Sequence, residues 1–117
     1  MRILLLDDNK KLRDKLQGIL LSHCTCDAPV CIDRAENLVG EYHKRRADMV
    51  LIRLGNTGFD GIKAARELKE IDSSAKVVFV SQFRDFALHA FEVGAFDYLL
   101  EPINEEKLCM TFHKLGA

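Results

Sequence analysis

The chain lacks the features that mark several large classes of protein. No apolar run approaches the roughly 20 residues that a membrane-spanning helix needs. The apolar start of the chain is followed at once by two aspartates and by no small-residue cleavage site. The 17 basic and 18 acidic residues leave a formal net charge of −1 without a basic stripe. We therefore expect a cytoplasmic protein that neither enters a membrane nor binds nucleic acid through this domain alone.

Nucleotide-binding signatures and internal divisions are also missing. The first apolar segment is followed by neither a Walker-type lysine loop nor a Gly-x-Gly-x-x-Gly turn. Neither repeats nor linkers divide the 117 residues, a length that suits one compact domain. Apolar residues make up 48% and charged residues 30% of the chain, which argues against disorder. We expect a single domain over residues 1–117.

Cysteine is scarce, and its spacing fits no common site well. Cys24, Cys26 and Cys31 lie close to His23, whereas Cys109 is far along the chain. The Cys-x-Cys spacing is tighter than that of most structural zinc sites, and a disulfide framework is not expected in a cytosolic domain that can build its own core. The sequence thus favours buried free thiols that pack as small apolar groups. A zinc or redox site formed by His23, Cys24, Cys26 and Cys31 is the alternative.

Apolar segments alternate with helical patterns along the entire chain. Strands are predicted over residues 3–6, 30–32, 49–53, 76–81 and 96–100, and helices over residues 9–22, 36–46, 59–71, 86–93 and 104–115. The strands are continuously rather than alternately apolar, which is typical of a parallel sheet buried on both faces. Right-handed crossovers then predict an α/β fold: a three-layer, doubly wound sheet of five parallel strands in the flavodoxin-like order 2-1-3-4-5.

Particular residues are expected to cap these helices or to mark their extent. Asn9 and Asn104 can accept backbone N–H groups at the first turns of the first and last helices, and Gly94 ends the fourth helix. Ile71 and Phe91 continue the apolar spacing that marks the third and fourth helices.

Polar side chains follow or end four of the five predicted strands. Because open α/β sheets place their chemistry at the carboxyl ends of the strands, these side chains should meet in one crevice. They are Asp7, Asp8, Arg53, Ser81 and Glu101. Arg53 stands where a carboxylate would be an obvious phosphoryl acceptor. Its guanidinium stays protonated at physiological pH, so acyl-phosphate formation at position 53 is excluded.

Four segments, taken in order, resemble the receiver domains of response regulators, the phosphorylatable modules of two-component signalling. They are residues 5–8, 48–61, 79–81 and 95–102, and the resemblance covers essentially the whole chain. The amino-acid sequence of residues 91–98 most resembles that of receivers joined to LytTR-type DNA-binding domains. The chain ends where the last helix of a receiver usually finishes, so two interpretations stay open: a whole protein, or the N-terminal part of a longer regulator.

The resemblance implies roles for several of these residues. In the family an acidic pair after the first strand helps to hold magnesium, and Asp7 and Asp8 match that pair. A serine or threonine at the end of the fourth strand interacts with the phosphoryl group, and Ser81 matches that residue. Tyr98 matches the aromatic switch residue of the fifth strand.

Two positions reverse the family pattern. The phospho-accepting aspartate of the family falls on Arg53, and the lysine that precedes proline falls on Glu101. Thr57 also stands where the family usually carries proline, which is a minor departure. The resemblance therefore implies a degenerate phosphorylation pocket, a pseudo-receiver.

The reversed charges suggest an internal ion pair. Arg53 could bridge Asp7 or Asp8 and Glu101 through charge-assisted, even bidentate, hydrogen bonds; the alternative is that Arg53 and Glu101 both extend into solvent. Receivers hold the corresponding lysine–proline bond in cis, so we expect a cis Glu101–Pro102 bond that directs Glu101 towards Arg53. Magnesium binding should be weak or absent, with Asp8 as a weak candidate ligand, and no other cofactor is expected.

These observations favour a phosphorylation-independent regulatory or dimerisation module of a transcriptional regulator, without enzymatic activity. The resemblance implies that protein partners or a second copy bind through helix 4, strand 5 and helix 5. The residues expected on that face are Arg84, Asp85, His89, Glu92, Asp97 and Tyr98. Two alternatives stay open. The domain could still be phosphorylated on Asp7 or Asp8 with a metal, or it could be a flavodoxin-like domain that senses a small ligand in the vacated crevice.

Overall fold

Five strands of the chain form one parallel sheet. A computed structural model describes residues 1–23, 27–55 and 59–116. The strands are β1 (Ile3–Leu6), β2 (Val30–Ile32), β3 (Met49–Arg53), β4 (Val77–Ser81) and β5 (Asp97–Leu100). Their order in the sheet is β2-β1-β3-β4-β5, and every neighbouring pair is parallel. The predicted sheet order is confirmed.

Helices connect successive strands. They are α1 (Lys10–His23), α2 (Leu38–Arg45), α3 (Phe59–Ile71), α4 (Ala87–Glu92) and α5 (Glu105–Lys114). Short 3-10 turns over Ala35–Asn37 and Arg84–Phe86 precede α2 and α4. The sequence predicted an α-helix from residue 36 to 46, whereas α2 begins two residues later and Arg46 takes a left-handed conformation with φ 51°.

Alternate side chains of the strands enter two separate cores, one on each face of the sheet. Leu4, Val50 and Phe79 pack with α2, α3 and α4, whereas Leu5, Leu51 and Val78 pack with α1 and α5. Side chains that point to both faces are thus buried, which is why the strands are continuously apolar. The three-layer arrangement is confirmed.

Backbone caps form where the sequence predicted them. Asn9 Oδ1 accepts the N–H of Leu12 at 3.1 Å, and Asn104 Oδ1 accepts the N–H groups of Glu106 and Lys107. Gly94 ends α4 with φ 85°, a conformation that glycine adopts without steric cost.

Two apolar residues of the helical patterns are exposed. Ile71 is 55% and Phe91 is 53% exposed. A spacing of three residues advances about 300° rather than a full turn, so the apolar series of α3 drifts off the core face after Leu68. In α4 the buried residue is Ala90, and its neighbour Phe91 lies about 100° around the helix.

The prediction of buried thiols is wrong for the two cysteines that can be assessed. Cys31 and Cys109 are free and exposed. Cys31 lies on β2, an edge strand with one neighbour, and Cys109 follows the inward-facing Leu108 on α5. Cys24, Cys26, Thr57 and the side chain of His23 lie outside the described residues.

Gly61 allows α3 to approach the end of β3, and this contact can be tested. A Cβ at Gly61 would meet Leu54 Cδ2 at 2.5 Å and Ile52 Cγ2 at 3.0 Å. We expect Gly61→Ala to lower the free energy of unfolding by about 1–3 kcal/mol through overpacking. Gly18→Ala in α1 meets nothing within 4 Å and should raise that free energy by about 0.5–1 kcal/mol. Urea denaturation of both variants checks this, and equal stability of the two would contradict the close approach.

Candidate functional site

The carboxyl edge of the sheet brings the predicted pocket residues together. Arg53 ends β3 and Ser81 ends β4, while Asp7 and Glu101 directly follow β1 and β5. Backbone hydrogen bonds extend the strands to this edge: Asp7 N–H donates to Ile32 O at 3.0 Å, and Glu101 N–H donates to Ser81 O at 2.8 Å. Backbone pairing alone therefore brings these residues to the same edge of the sheet, independently of their side-chain contacts.

Arg53 lies between two carboxylates. Its Nε is 3.0 Å from Glu101 Oε1 and 3.8 Å from Asp7 Oδ2. The side chains of Asp7 and Arg53 are 0% and 7% exposed, and that of Glu101 is 20% exposed. The Glu101–Pro102 bond is cis. The internal ion pair and the cis bond are confirmed, and the alternative in which both side chains extend into solvent is wrong.

The contact of Arg53 with these carboxylates is electrostatic rather than a well-formed hydrogen bond. Asp7 Oδ2, Arg53 Nε and Glu101 Oε1 are buried, and within the described ranges none of the three has a hydrogen-bond partner. At 3.0 Å the distance to Glu101 is short enough, but the N–H direction of Nε is unsuitable. The expected bidentate bond is therefore not formed through Nε.

Asp7, and not Asp8, is the acidic residue that faces Arg53. The other oxygen of Asp7, Oδ1, accepts the N–H of Asn9 at 2.9 Å, and its main-chain oxygen accepts from Arg13 Nη1 at 2.9 Å. Burial raises the pKa of Asp7, and the opposing effects of the Asn9 hydrogen bond and the Arg53 charge do not cancel it. Asp8 is exposed.

Ser81 and Tyr98 are engaged with the loop that follows β4. Ser81 is buried and its Oγ accepts the N–H of Phe83 at 3.0 Å. The hydroxyl of Tyr98 donates to the carbonyl oxygen of Phe83. Burial raises the pKa of Tyr98, with a further increase from the Asp85 charge and an opposing effect of the Ser81 hydrogen bond. Both side chains therefore hydrogen-bond to the main chain of this loop at Phe83.

Only some of the side chains predicted for the interaction face are exposed to solvent. Arg84, Asp85, His89 and Glu92 are exposed, and His89 Nδ1 lies 4.0 Å from Glu92 Oε2. Tyr98 is half-buried.

Asp97, which was placed on the same face, is engaged within the domain. Its Oδ2 accepts from Thr111 Oγ1 at 2.6 Å and lies 3.8 Å from Lys114 Nζ, so it connects β5 to α5.

Sequence reasoning missed the apolar part of this face. Leu88 is 68% exposed and Phe91 is 53% exposed, three residues apart on α4. Counting the helical period from the buried Ala90 would have placed both away from the core.

A cleft of about 800 Å³ opens beside Arg53, and we call it the carboxyl-edge cleft. It extends from the pocket residues towards the turn that precedes α2 and the first half of α3. Its lining comprises Leu6, Asp7, Asp8, Asp33, Arg34, Ala35, Glu36, Ile52, Arg53, Gly55, Gly61, Lys63, Ala64 and Glu67. The sequence analysis missed Asp33, Glu36, Lys63 and Glu67, although Asp33 follows a strand and so carried the same positional signal as Asp7.

The described residues contain neither a grouping of three His, Cys, Asp or Glu side chains suited to a metal nor a helix able to cross a bilayer. Magnesium, which the resemblance implies, does not fit the donor set of the pocket. Asp7 Oδ2 faces the cationic Arg53, so Asp8 is the carboxylate left from the acidic pair that the resemblance assigns to magnesium. That set is small for an ion that loses its hydration shell reluctantly.

Comparison with known proteins identifies the family. The model of the response regulator receiver domain matches residues 3–113. The chain belongs to this family. This receiver domain is 30% identical over 114 residues to the sensory transduction protein LytT of Bacillus anthracis, covering 97% of the chain and 46% of the relative. It is also 30% identical over 115 residues to the transcriptional regulatory protein BtsR of Salmonella typhi, covering 98% and 48%.

Solved structures show the same fold. The response regulatory domain of mrkE from Klebsiella pneumoniae gives a TM-score of 0.83 at 21% identity, covering 99% of this receiver and 95% of that chain. The chemotaxis protein CheY4 of Vibrio cholerae gives 0.80 at 15% identity, covering 97% of each. The family resemblance seen in the sequence is confirmed. The receiver spans about half the length of its curated relatives.

The raised pKa of Asp7 predicts how its removal affects stability. Above the folded pKa, ionised Asp7 disfavours folding, and this disadvantage is lost as the pH falls through that value towards the ordinary value of 3.8. We expect Asp7→Asn to raise the free energy of unfolding at pH 7 and to converge with the wild type under acidic conditions. The exposed Asp8→Asn is the control, and urea denaturation across pH is the measurement. A loss of stability at pH 7 would mean that attraction to Arg53 outweighs burial.

Proposed function

We propose that this receiver domain is a phosphorylation-independent regulatory module of a cytoplasmic transcriptional regulator in two-component signalling. The observation that carries the proposal is the buried ion pair of Arg53 with Glu101. The sequence motifs support it, because in their resemblance to receivers Arg53 stands where the phosphoryl acceptor is expected, and a guanidinium cannot form an acyl phosphate. Glu101 supports the proposal further, because it offers no positive charge to a phosphoryl group.

The first experiment tests for phosphorylation directly. The domain is incubated with acetyl phosphate and magnesium, and its intact mass is recorded beside that of a receiver with a conventional aspartate. We expect the control to gain one phosphoryl group and this domain to gain none. A modification that maps to Asp7 or Asp8 would overturn the proposal and support an alternative acceptor.

The reversed charges also predict which substitutions restore a conventional pocket. Arg53→Asp alone places a new carboxylate beside Asp7 and Glu101, and crowded like charges disfavour ionisation. We expect this variant to bind magnesium weakly and to stay unmodified by acetyl phosphate. Arg53→Asp with Glu101→Lys should bind magnesium and accept a phosphoryl group. Calorimetry and intact mass compare the two, and identical behaviour would show that positions 53 and 101 are not coupled.

We also propose that the domain dimerises or binds a partner through the face formed by α4, β5 and α5. The exposed Leu88 and Phe91 give this face an apolar centre, and Arg84, Asp85, His89 and Glu92 surround it with charge. Apolar centres with charged rims are the usual composition of protein interfaces.

A matched pair of substitutions tests the dimer. Leu88→Lys on α4 should raise the dimer dissociation constant by about tenfold or more, because an apolar side chain that the dimer would bury is replaced by a charge. Leu21→Lys on α1 changes a residue of similar exposure, 51% against 68%, on another face and should leave association unchanged. Sedimentation velocity over a range of concentrations is the measurement. A monomeric wild type, or equal effects of the two variants, would contradict a dimer through this face.

A further inference from the structure

Helix α4 and the turn before it form one exposed helical segment. The 3-10 turn Arg84–Phe86 leads directly into α4 (Ala87–Glu92), and the backbone is helical at the junction of the two. Ala90 is the residue of α4 that is buried in the core. Leu88 lies about 200° around the helix from Ala90 and is 68% exposed. The segment therefore presents an outer surface with Leu88 at its middle.

Opposite charges stand at equal distances on the two sides of Leu88. Arg84 precedes it by four residues and Glu92 follows it by four, a spacing that keeps side chains on one face of a helix. Arg84 is exposed, and the side chain of Glu92 is 62% exposed. Among the described residues, no ion pair joins Arg84 to a carboxylate of its own domain. We call Arg84, Leu88 and Glu92 the α4 stripe: a cation, an apolar residue and an anion in line.

The α4 stripe is complementary to itself when two copies run antiparallel. A two-fold axis through Leu88 brings Arg84 of each copy opposite Glu92 of the other, so that two attractive contacts form at once. Leu88 then packs against its own counterpart, and Phe91, which is 53% exposed, lies beside it. A parallel arrangement would oppose like charges, and a uniformly acidic or basic partner would be repelled by one end of the stripe. The pattern therefore favours a second copy of this chain over a partner of another kind.

Contact through α4 leaves the internal bonds of β5 intact. Asp97 accepts from Thr111 Oγ1 at 2.6 Å and lies 3.8 Å from Lys114 Nζ, so its charge is compensated by α5 of the same domain. The hydroxyl of Tyr98 donates to the carbonyl oxygen of Phe83. A second copy seated on the α4 stripe would not have to break either of these contacts.

We propose that two copies associate through antiparallel α4 stripes, with Leu88 on the two-fold axis and Arg84 of each copy paired with Glu92 of the other. This inference rests on the proposed function, which includes association through the face formed by α4, β5 and α5. It deepens that function by assigning the contact to α4, the partner to a second copy, and the register to three residues.

Charge reversal tests the register, because a two-fold contact predicts how variants combine. Arg84→Glu makes both ends of the stripe acidic, and Glu92→Arg makes both ends basic. We expect each variant alone to raise the dimer dissociation constant by about tenfold, because like charges replace both attractive contacts. An equimolar mixture of the two should associate about as tightly as the wild type, since every acidic end then meets a basic end. The double variant should also recover, because its stripe is only reversed in direction.

Sedimentation velocity over a range of concentrations at low ionic strength is the measurement, and circular dichroism verifies that each variant is folded. Lys10→Glu and Asp14→Lys reverse an exposed ion pair on α1 and serve as the matched control. Alone, mixed or combined, they should leave association unchanged. Salt at about 1 M, which shortens the Debye length to about 3 Å, should reduce the differences among the α4 variants.

A mixture that associates no more tightly than the single variants would overturn the inference, as would a monomeric wild type or equal effects of the α1 controls. These failures are distinguishable from failure of the proposed function. If Leu88→Lys weakens a dimer that the charge reversals leave unchanged, the interaction face stands and the antiparallel register is wrong. A monomeric domain that resists acetyl phosphate keeps its phosphorylation-independent role, whereas a phosphorylated domain loses that role whatever the mixtures show.

Discussion

The ion pair between Arg53 and Glu101 is the interaction on which the rest of the pocket depends. Arg53 is fixed at the end of β3 and is almost fully buried, so its charge must be compensated inside the protein. Glu101 and Asp7 supply that compensation from two other strands. Their contacts link the ends of β1 and β3 to the segment after β5.

The charge of Arg53 is compensated without the hydrogen bonds that usually accompany a buried ion pair. The nearest atoms of the three side chains have no well-directed hydrogen bonds in the part of the chain described, so attraction alone offsets the cost of removing the charges from water. Buried pairs of this kind often contribute little net stability, yet loss of one member leaves the other unpaired. Loss of Arg53 or Glu101 alone should therefore destabilise the pocket, whereas Asp7 differs because its burial outweighs its attraction to Arg53.

Several features could be predicted from the sequence, because each depends on local chemistry or on strand ends that meet at one edge of the sheet. They are the sheet order, the caps at Asn9, Asn104 and Gly94, and the pairing of Arg53 with Glu101. Exposure of Cys31 and Cys109 could not be predicted, because it depends on the direction in which an edge strand or a helix faces. Exposure of Phe91 follows from the helical period only once Ala90 is known to face the core. The hydrogen-bond geometry of Arg53 depends on side-chain directions that no residue pattern encodes. Lys63 and Glu67 were missed because they lie on α3 and not at the end of a strand, the position that predicted the other pocket residues.

A double-mutant cycle on Arg53 and Glu101 tests the central claim most directly. Unfolding free energies are measured for the wild type, Arg53→Met, Glu101→Gln and the double variant, with the exposed pair Arg34 and Glu36, 3.7 Å apart, as a control cycle. We predict a favourable coupling of about 1–3 kcal/mol between Arg53 and Glu101 and additivity in the control. Additivity of Arg53→Met and Glu101→Gln within about 0.5 kcal/mol would contradict the claim that this ion pair organises the pocket.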